Sequence, residues 1–140
     1  MGFKEVAISL IFVALCPVVL AQNNDFARVN SSYDEQNPVL SADRKTLFVT
    51  RSNHPQNTGG LKDPGDIWIA TLSATGWSEL SHAGPIVNDR GYNTVVGCSA
   101  GGEKILVGHH PSRNGEPSKT QGLSSSVLTS NGWGALQPVP

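Results

Sequence analysis

The sequence predicts an all-β protein in which one four-stranded antiparallel unit occurs twice after an N-terminal signal segment. Three observations support this fold class. A series of matched residues recurs along the chain at a nearly constant spacing. Short runs rich in β-branched and aromatic residues alternate with turn-forming residues, and 15 glycines and 9 prolines supply many turns. Beyond the first 21 residues no helical period is evident.

The first 21 residues are typical of a secretion signal. An apolar run without charges extends from Val6 to Leu20, Lys4 precedes it, and Ala21 supplies a small residue at the cut site. A transmembrane anchor is the alternative, but this run is short for a span of about 20 residues. Lipidation of Cys16 is disfavoured because it lies inside the run. We expect a mature chain from Gln22, secreted or in the periplasm or cell envelope, with no membrane span after cleavage.

The composition of the mature chain excludes several classes of partner. Nine Lys and Arg face ten Asp and Glu, without a basic stripe, so neither nucleic acid nor an anionic membrane surface is expected as a partner. Cys98 is the single cysteine after cleavage. No intrachain disulfide can form, although export implies an oxidising compartment.

The internal repeat is an ordered series of matches at a spacing of 58 that changes to 56 after the second strand. One two-residue deletion reconciles the two spacings. The matched segments include Val29-Asn30 with Val87-Asn88, Ser41-Ala42 with Ser99-Ala100, Leu47-Phe48-Val49 with Ile105-Leu106-Val107, His54-Pro55 with His110-Pro111, and Gly76-Trp77 with Gly132-Trp133. The chain therefore holds two copies of one unit.

Each copy is expected to form four strands. Those of the first copy are 38–41, 46–51, 66–72 and 77–80, and those of the second are 95–98, 104–108, 123–128 and 133–136. The runs at 47–49 and 67–69 are apolar on both faces, so they need cover on both sides. Repeated four-stranded units that cover one another describe the blades of a propeller. Two blades alone should leave two outer faces bare.

This pattern divides the chain into four parts. They are a signal peptide at 1–21, a lead-in segment at 22–36, a first blade at 37–84, and a second blade with a truncated linker at 85–140.

The segment from residue 37 to residue 49 resembles the WD40-like, TolB-type propeller repeat. The hallmark of that family is a Ser-Pro-Asp-Gly-Lys turn followed by an apolar strand. Residues 65–69 and 76–78 are similar to its third strand and to its turn into the fourth, so the resemblance covers most of 30–137. It implies a partial propeller, since a closed ring usually needs about four to eight blades. Further blades of a longer chain are therefore expected partners.

The two turns depart from the family hallmark. Ala42 and Ala100 replace its proline, and Arg44 stands where the turn glycine belongs. If that position has a positive φ, arginine costs on the order of 1 kcal/mol relative to glycine. The second copy keeps the turn glycine and lacks the aspartate.

Ser99 lies in a segment, residues 97–101, that fits the G-x-S-x-G pattern of serine-hydrolase elbows. That chemistry needs a helix after the serine and a later acid and histidine. A strand is expected instead, and no aspartate follows Asp89. Because Ser99 is the repeat partner of Ser41, we expect it to shape a turn. We predict no catalytic residue, no cofactor and no enzyme activity for this chain.

The better functional candidates lie in two long loops between the second and third strands, 53–65 and 110–122. Loops of adjacent blades emerge on one propeller face, so these loops should share a surface. The candidate ligand-binding residues are His54, Asp63, Asp66, His110 and Arg113. Such groups suffice for a metal or ligand site, although we assign no metal to it. Alternatively, His-Pro ends the strand and the imidazole bonds its own loop backbone.

Two functional classes follow. The resemblance implies a non-catalytic binding or scaffold module that binds protein, peptide or glycan at a cell envelope, since such repeats often precede peptidoglycan-anchoring domains. The alternative is a propeller that gates a serine hydrolase or peptidase encoded further along a longer chain, as in prolyl-oligopeptidase-like enzymes. The sequence after Pro140 would distinguish the two.

Overall fold

A computed structural model describes residues 26–108 and 122–140 of the chain. Its regular structure is β, apart from the short 3-10 turns Phe26–Arg28 and Gly60–Lys62, and no α-helix occurs in these residues. The all-β fold class is therefore confirmed. The signal segment, His110 and Arg113 lie outside the described residues. Within the described part, no helix is long and apolar enough to cross a membrane.

Each copy of the repeat forms one antiparallel sheet. The strands of the first sheet are β1 (Asp34–Leu40), β2 (Thr46–Ser52), β3 (Asp66–Ser73), β4 (Gly76–Trp77) and β5 (Ser81–His82). Those of the second sheet are β6 (Val95–Cys98), β7 (Lys104–Val107), β8 (Ser124–Thr129), β9 (Gly132–Trp133) and β10 (Gln137–Pro138). The three longer strands of each sheet pair in chain order, and the two short ones both pair with the third. The two sheets are partial, propeller-like blades.

The fourth strand of each unit is divided into two short strands, which differs from the prediction of one continuous strand. In the first sheet β4 pairs with the end of β3, and β5 pairs with its middle. Between them the Thr71 amide donates to the Ser78 hydroxyl at 3.0 Å instead of to a backbone carbonyl. Regular pairing stops after Trp77 and resumes at Ser81. The second sheet divides at the same place, where Gly134 stands at the position of Ser78, so the hydroxyl is a feature of the first sheet and not the common cause.

The first strand of each sheet carries a bulge at equivalent positions. In β1 the register shifts between Gln36 and Val39, where Asn37 has a φ of 47°. In β6 it shifts between Val95 and Gly97, and Val95 is the repeat partner of Asn37. The repeat therefore extends to an irregularity of the backbone. β1 also begins at Asp34, earlier than the predicted strand, because it pairs with the whole length of β2.

The turn after the first strand has the positive φ that the family hallmark suggested. Arg44 has a φ of 60°, and its repeat partner Gly102 has a φ of 80°. A Cβ on Gly102 would lie 3.0 Å from the Cβ of Thr46, so the second turn needs its glycine for space as well as for conformation. The first turn places arginine in a backbone conformation that glycine adopts more easily.

Two apolar clusters lie on the two faces of the first sheet, so the prediction that its central strands need cover on both sides is confirmed. The cluster on the far side contains Val29, Leu47, Val49, Trp68, Ala70 and Trp77, with Leu72 and Leu80 packed against it. The cluster between the sheets contains Phe48, Ile67, Val87, Val95, Ile105 and Val107, with Val39, Ile69, Ala83, Cys98, Trp133 and Leu136 packed against it.

The outer faces of the two sheets differ. The far face of the first sheet is partly covered by residues 26–30, where the Phe26 ring stacks on Trp77 at 5.6 Å and Val29 is buried. The expectation of two bare outer faces is therefore wrong for the first sheet. The outer face of the second sheet is exposed at Val127, which is 49% accessible.

Candidate functional site

The candidate loop, residues 53–65, is closed from inside by Asp63. This side chain is buried, and its two oxygens accept from the amides of Gly59 at 2.6 Å and Gly65 at 2.9 Å. Burial raises the pKa of the Asp63 carboxyl, although the two amides act in the opposite direction. A Cβ on Gly59 would lie 2.7 Å from Asp63 Oδ2, so glycine leaves the space that the carboxylate fills.

Asp66, at the start of β3, ties the loop to two other parts of the chain. It is 0% exposed. Its Oδ2 accepts from the Thr58 amide at 2.6 Å and lies 2.7 Å from Nε2 of His82 on β5. Its Oδ1 accepts from Nδ2 of Asn93, in the linker between the sheets, at 3.3 Å. The carboxylate therefore joins the loop, the divided fourth strand and the linker.

The hydrogen bonds of His82 define its tautomer. Nδ1 of His82 accepts from the Gly84 amide at 3.2 Å, so this nitrogen carries no proton. The proton of the neutral ring is then on Nε2, which donates to Asp66. A histidine held from both sides in this way acts as a positioned donor to the buried carboxylate.

His54 lies between two aromatic rings rather than beside the carboxylates. Its ring centroid is 4.4 Å from that of Tyr33 and 4.5 Å from that of Trp68, both edge-on, and the residue is 9% exposed. Nδ1 accepts from the Gln56 amide at 3.1 Å, so the imidazole bonds its own loop backbone. Burial, followed by the charge of Arg51, lowers the pKa of His54, which favours the neutral ring.

Sequence reasoning missed a polar and aromatic network around Trp68. Arg51 Cζ lies 4.6 Å from the centroid of the Trp68 ring, and Arg51 Nε donates to Glu35 Oε1 at 2.9 Å. Trp68 Nε1 donates to Asn57 Oδ1 at 3.0 Å, and Asn57 Nδ2 donates to the Arg51 carbonyl at 2.7 Å. Arg51 is an arginine in an otherwise buried strand, and that signal predicts a buried partner. Glu35 is directly opposite it in the β1–β2 register.

The predicted site residues thus fall into two groups. Asp63 and Asp66 close and anchor the loop, whereas His54 packs with the Trp68 network. Among the described residues, no group of three or more His, Cys, Asp or Glu side chains is arranged to hold a metal ion. The ligand surface shared by the loops 53–65 and 110–122 stays a prediction, because residues 109–121 lie outside the described part of the chain.

Ser99 makes the same contact as its repeat partner. The Lys104 amide donates to the Ser99 hydroxyl at 3.0 Å, as the Thr46 amide donates to that of Ser41 at 3.0 Å. The turn leads into strand β7 instead of a helix. The neighbouring Cys98 is half-buried, and burial raises the pKa of its thiol.

The outer side of the loop is open to solvent. Leu61 is 64% exposed, and Pro55, Gln56 and Lys62 are exposed beside the buried anchors. An exposed leucine on a loop fixed by internal hydrogen bonds is available for contact with another molecule.

No family model matches the chain, and comparisons with curated proteins and with solved structures found no similar protein. Functional assignment therefore depends on the geometry of this loop and of the two sheets.

Proposed function

We propose that this chain is a non-catalytic, propeller-type binding or scaffold module of an exported cell-envelope protein, of the WD40-like, TolB-type kind. The single observation that supports a binding role is the anchored loop. Asp63 and Asp66 hold residues 53–65 from the buried side, and the opposite side is exposed. A loop that is already ordered loses little conformational entropy on binding, which favours affinity.

The exposed chemistry of the loop favours a protein or peptide over a glycan. Leu61 and Lys62 are the exposed apolar and cationic groups, and the loop has no Trp, Tyr or Phe on which a sugar could stack. Trp68 and Trp77 are buried and unavailable for stacking. We infer that the ligand presents an apolar side chain to Leu61 and an acidic or carbonyl group to Lys62.

The location and the further blades belong to the same proposal. The signal-like first 21 residues support export, and we expect intact-mass measurement of the exported protein to show a chain that begins at Gln22. The exposed apolar face of the second sheet supports a larger stack of blades. A chain that keeps Met1 in the exported fraction would contradict the export proposal.

A displayed random-peptide library and purified peptidoglycan sacculi are suitable probes for the binding role. We expect peptides selected on the unmodified chain to bind the Leu61→Asp variant at least about tenfold more weakly, the loss of one good apolar contact. Leu128→Asp is the matched control, because Leu128 is exposed near the end of β8 that lies away from the long loops. Peptides that bind both variants as tightly as the unmodified chain would contradict the proposal. Cosedimentation with sacculi that Leu61→Asp abolishes would assign a glycan instead.

A further inference from the structure

The contact between the two sheets uses two different faces. The first sheet contributes what we call its front face, and the second contributes what we call its back face. The front-face residues of the first sheet are Val39, Phe48, Ile67, Ile69 and Ala83. The back-face residues of the second sheet are Val95, Cys98, Ile105, Val107, Trp133 and Leu136. Phe48 and Trp133 meet at 6.1 Å between ring centroids, and the Asp43 amide donates to the Ala100 carbonyl at 3.0 Å where the turns touch.

The second sheet has a front face of its own, built from the repeat partners of the first. Those partners are Gly97, Leu106, Leu123, Ser125 and Val139. Four of them, all except Leu123, line an open groove of about 580 Å³. Leu123, Val127 and Val139 are exposed around it. The front-face residues that pack the first sheet against the second thus have mostly apolar counterparts on the second sheet. Within the described part of the chain, these counterparts pack against no other sheet.

The first sheet likewise has a back face. The repeat partners of Cys98, Ile105, Val107, Trp133 and Leu136 are Leu40, Leu47, Val49, Trp77 and Leu80. Leu47, Val49, Trp77 and Leu80 belong to the far-side cluster, and Leu40 is 44% exposed at its edge. A cavity of about 550 Å³ remains between Leu40, Leu47, Val49 and the N-terminal residues. The back face of the first sheet is therefore apolar at the same repeat positions as the back face of the second sheet, which packs against a front face at the junction.

Residues 26–30, which we call the strap, occupy part of that back face. Phe26 stacks on Trp77 at 5.6 Å, and Phe48 contacts the equivalent Trp133. Val29 is buried in the far-side cluster, and its repeat partner Val87 is buried at the junction. The strap therefore places an aromatic ring and a buried valine on the back face of the first sheet. Phe48 and Val87 do the same on the back face of the second sheet.

We propose that the front face of the second sheet docks on the back face of the first sheet in a second copy of this chain, and that the strap competes for that face. The interface continues the one between the two sheets, with the same residue positions in contact. In this interface Leu106 of one copy contacts Trp77 of the other copy. This contact is equivalent to the one between Phe48 and Trp133 at the junction within one chain. Because the two faces differ, the contact is head-to-tail and leaves a free face at each end.

Removal of the competing ring tests this association in the full chain. We expect Phe26→Ala to lower the concentration at which half of the chain is associated by about tenfold, measured by sedimentation velocity. Adding Leu123→Lys in the Phe26→Ala chain puts a charge on the front face, at the repeat partner of the buried Ile67, and should restore the monomer. Adding Ile86→Lys should not, since Ile86 is an exposed linker residue that belongs to neither face.

Mixing two blocked variants tests the head-to-tail geometry. Phe26→Ala with Leu123→Lys keeps a usable back face, and Phe26→Ala with Leu40→Lys keeps a usable front face. We expect each to be monomeric alone and the two to form a one-to-one dimer when mixed. Association that survives Leu123→Lys, or a mixture that stays monomeric, would overturn the proposal.

If Phe26→Ala loses its near-ultraviolet circular dichroism, the same pairs are made with Phe26→Leu, which keeps an apolar cover but removes the ring stack. Monomers throughout the concentration series in both backgrounds would also overturn the proposal. The loop 53–65 takes no part in this interface, so its failure leaves the proposed binding function unaffected.

Discussion

The two sheets have the same strand order and the same bulge, yet they fill the equivalent buried positions differently. In β3 of the first sheet, the back-face positions are occupied by Trp68 and Ala70, both buried. Their repeat partners in β8 are Ser124 and Ser126, also buried. Ser126 donates to the Gly134 carbonyl at 2.6 Å, which satisfies one hydroxyl within its own sheet.

The difference follows from what covers each back face. The back face of the second sheet packs against Phe48 and Ile67 of the first sheet. Because these large side chains of the first sheet fill the space, small side chains are enough in β8. Among the described residues, the strap alone covers the back face of the first sheet, and Trp68 fills the space beneath it. The first sheet therefore supplies much of its own core, whereas the second depends on its neighbour.

The largest effect should come from removing the side chain on which the second sheet depends. Phe48→Ala empties a fully buried position and should lower the free energy of unfolding by about 3–5 kcal/mol in urea titration. Leu61→Ala, at an exposed position, should change it by less than about 0.5 kcal/mol. We expect amide protection to fall more in β7 and β8 than in β3. Equal loss in both sheets would show that they support each other equally.

The next effect concerns the carboxylate that anchors the loop of the first sheet. Asp66→Asn removes the charge that accepts from Thr58 and His82, and its repeat partner is Gly122, which has no side chain. We expect a loss of about 3 kcal/mol and faster proteolysis within 53–65, because a buried, charged hydrogen-bond acceptor is lost. Asp34→Asn, at an exposed position of β1, is the matched control. Unchanged proteolysis of the loop would contradict its anchoring by Asp66.

A smaller effect is expected from pH. The pKa of His54 is lowered in the folded chain by burial, so the unfolded chain binds a proton more readily. Stability should therefore fall as pH decreases from about 6.5, the ordinary pKa of histidine, by at most about 1.4 kcal/mol per pH unit. The pKa of Asp63 is raised, mainly by burial, so its protonation adds stability between that raised pKa and its ordinary value of 3.8. The two contributions have opposite signs.

The His54→Asn variant separates the contribution of His54 from that of Asp63. The asparagine cannot titrate, but its side-chain oxygen can still accept from the Gln56 amide. We expect the slope of unfolding free energy between pH 7 and about pH 5.5 to decrease in this variant. The equivalent position in the second copy, His110, offers the comparison: His110→Asn tests whether the effect belongs to the first sheet. An unchanged slope in His54→Asn would show that another group causes the pH dependence.

The smallest effect compares the two turns. Arg44→Gly should raise the free energy of unfolding by about 1 kcal/mol, because a φ of 60° is easier for glycine. Gly102→Ala should lower it by more than about 1 kcal/mol, since the φ of 80° is combined with a close approach to Thr46. Thermal unfolding of both variants measures the difference. A destabilising Arg44→Gly would mean that the arginine side chain makes a stabilising contact that outweighs its backbone cost.

Much of the fold could be predicted because it depends on local patterns. The uninterrupted apolar run Leu47-Phe48-Val49 identified a strand covered on both sides, and the repeat placed its partner at 105–107. The split of the fourth strand was not predicted: it occurs in both sheets, although one has Ser78 and the other Gly134 at the break. The cover on the first sheet was missed because Phe26 meets Trp77 only in three dimensions.

The candidate loop shows the same limit for function. His54, Asp63 and Asp66 were found from the sequence because polar residues in a long loop are candidates for binding. The contacts that they make depend on distant segments: Asp66 bonds Asn93 across 27 positions of the chain, and Arg51 bonds Glu35 across 16. Residue type indicates what a group can do chemically, and only its neighbours decide whether it faces a ligand or the protein itself.

By itself the sequence determined the two copies of the unit and the approximate strand segments, because each strand depends on residues within a few positions of one another. The positive φ of the turn was suggested by the resemblance to the propeller repeat. The tertiary structure alone decided which faces of the sheets are covered, where the fourth strand divides, and that Asp63 and Asp66 anchor the loop from inside. Those outcomes depend on which side chains come together after the sheets stack, and burial, through the close packing and satisfied hydrogen bonds that it requires, selects them.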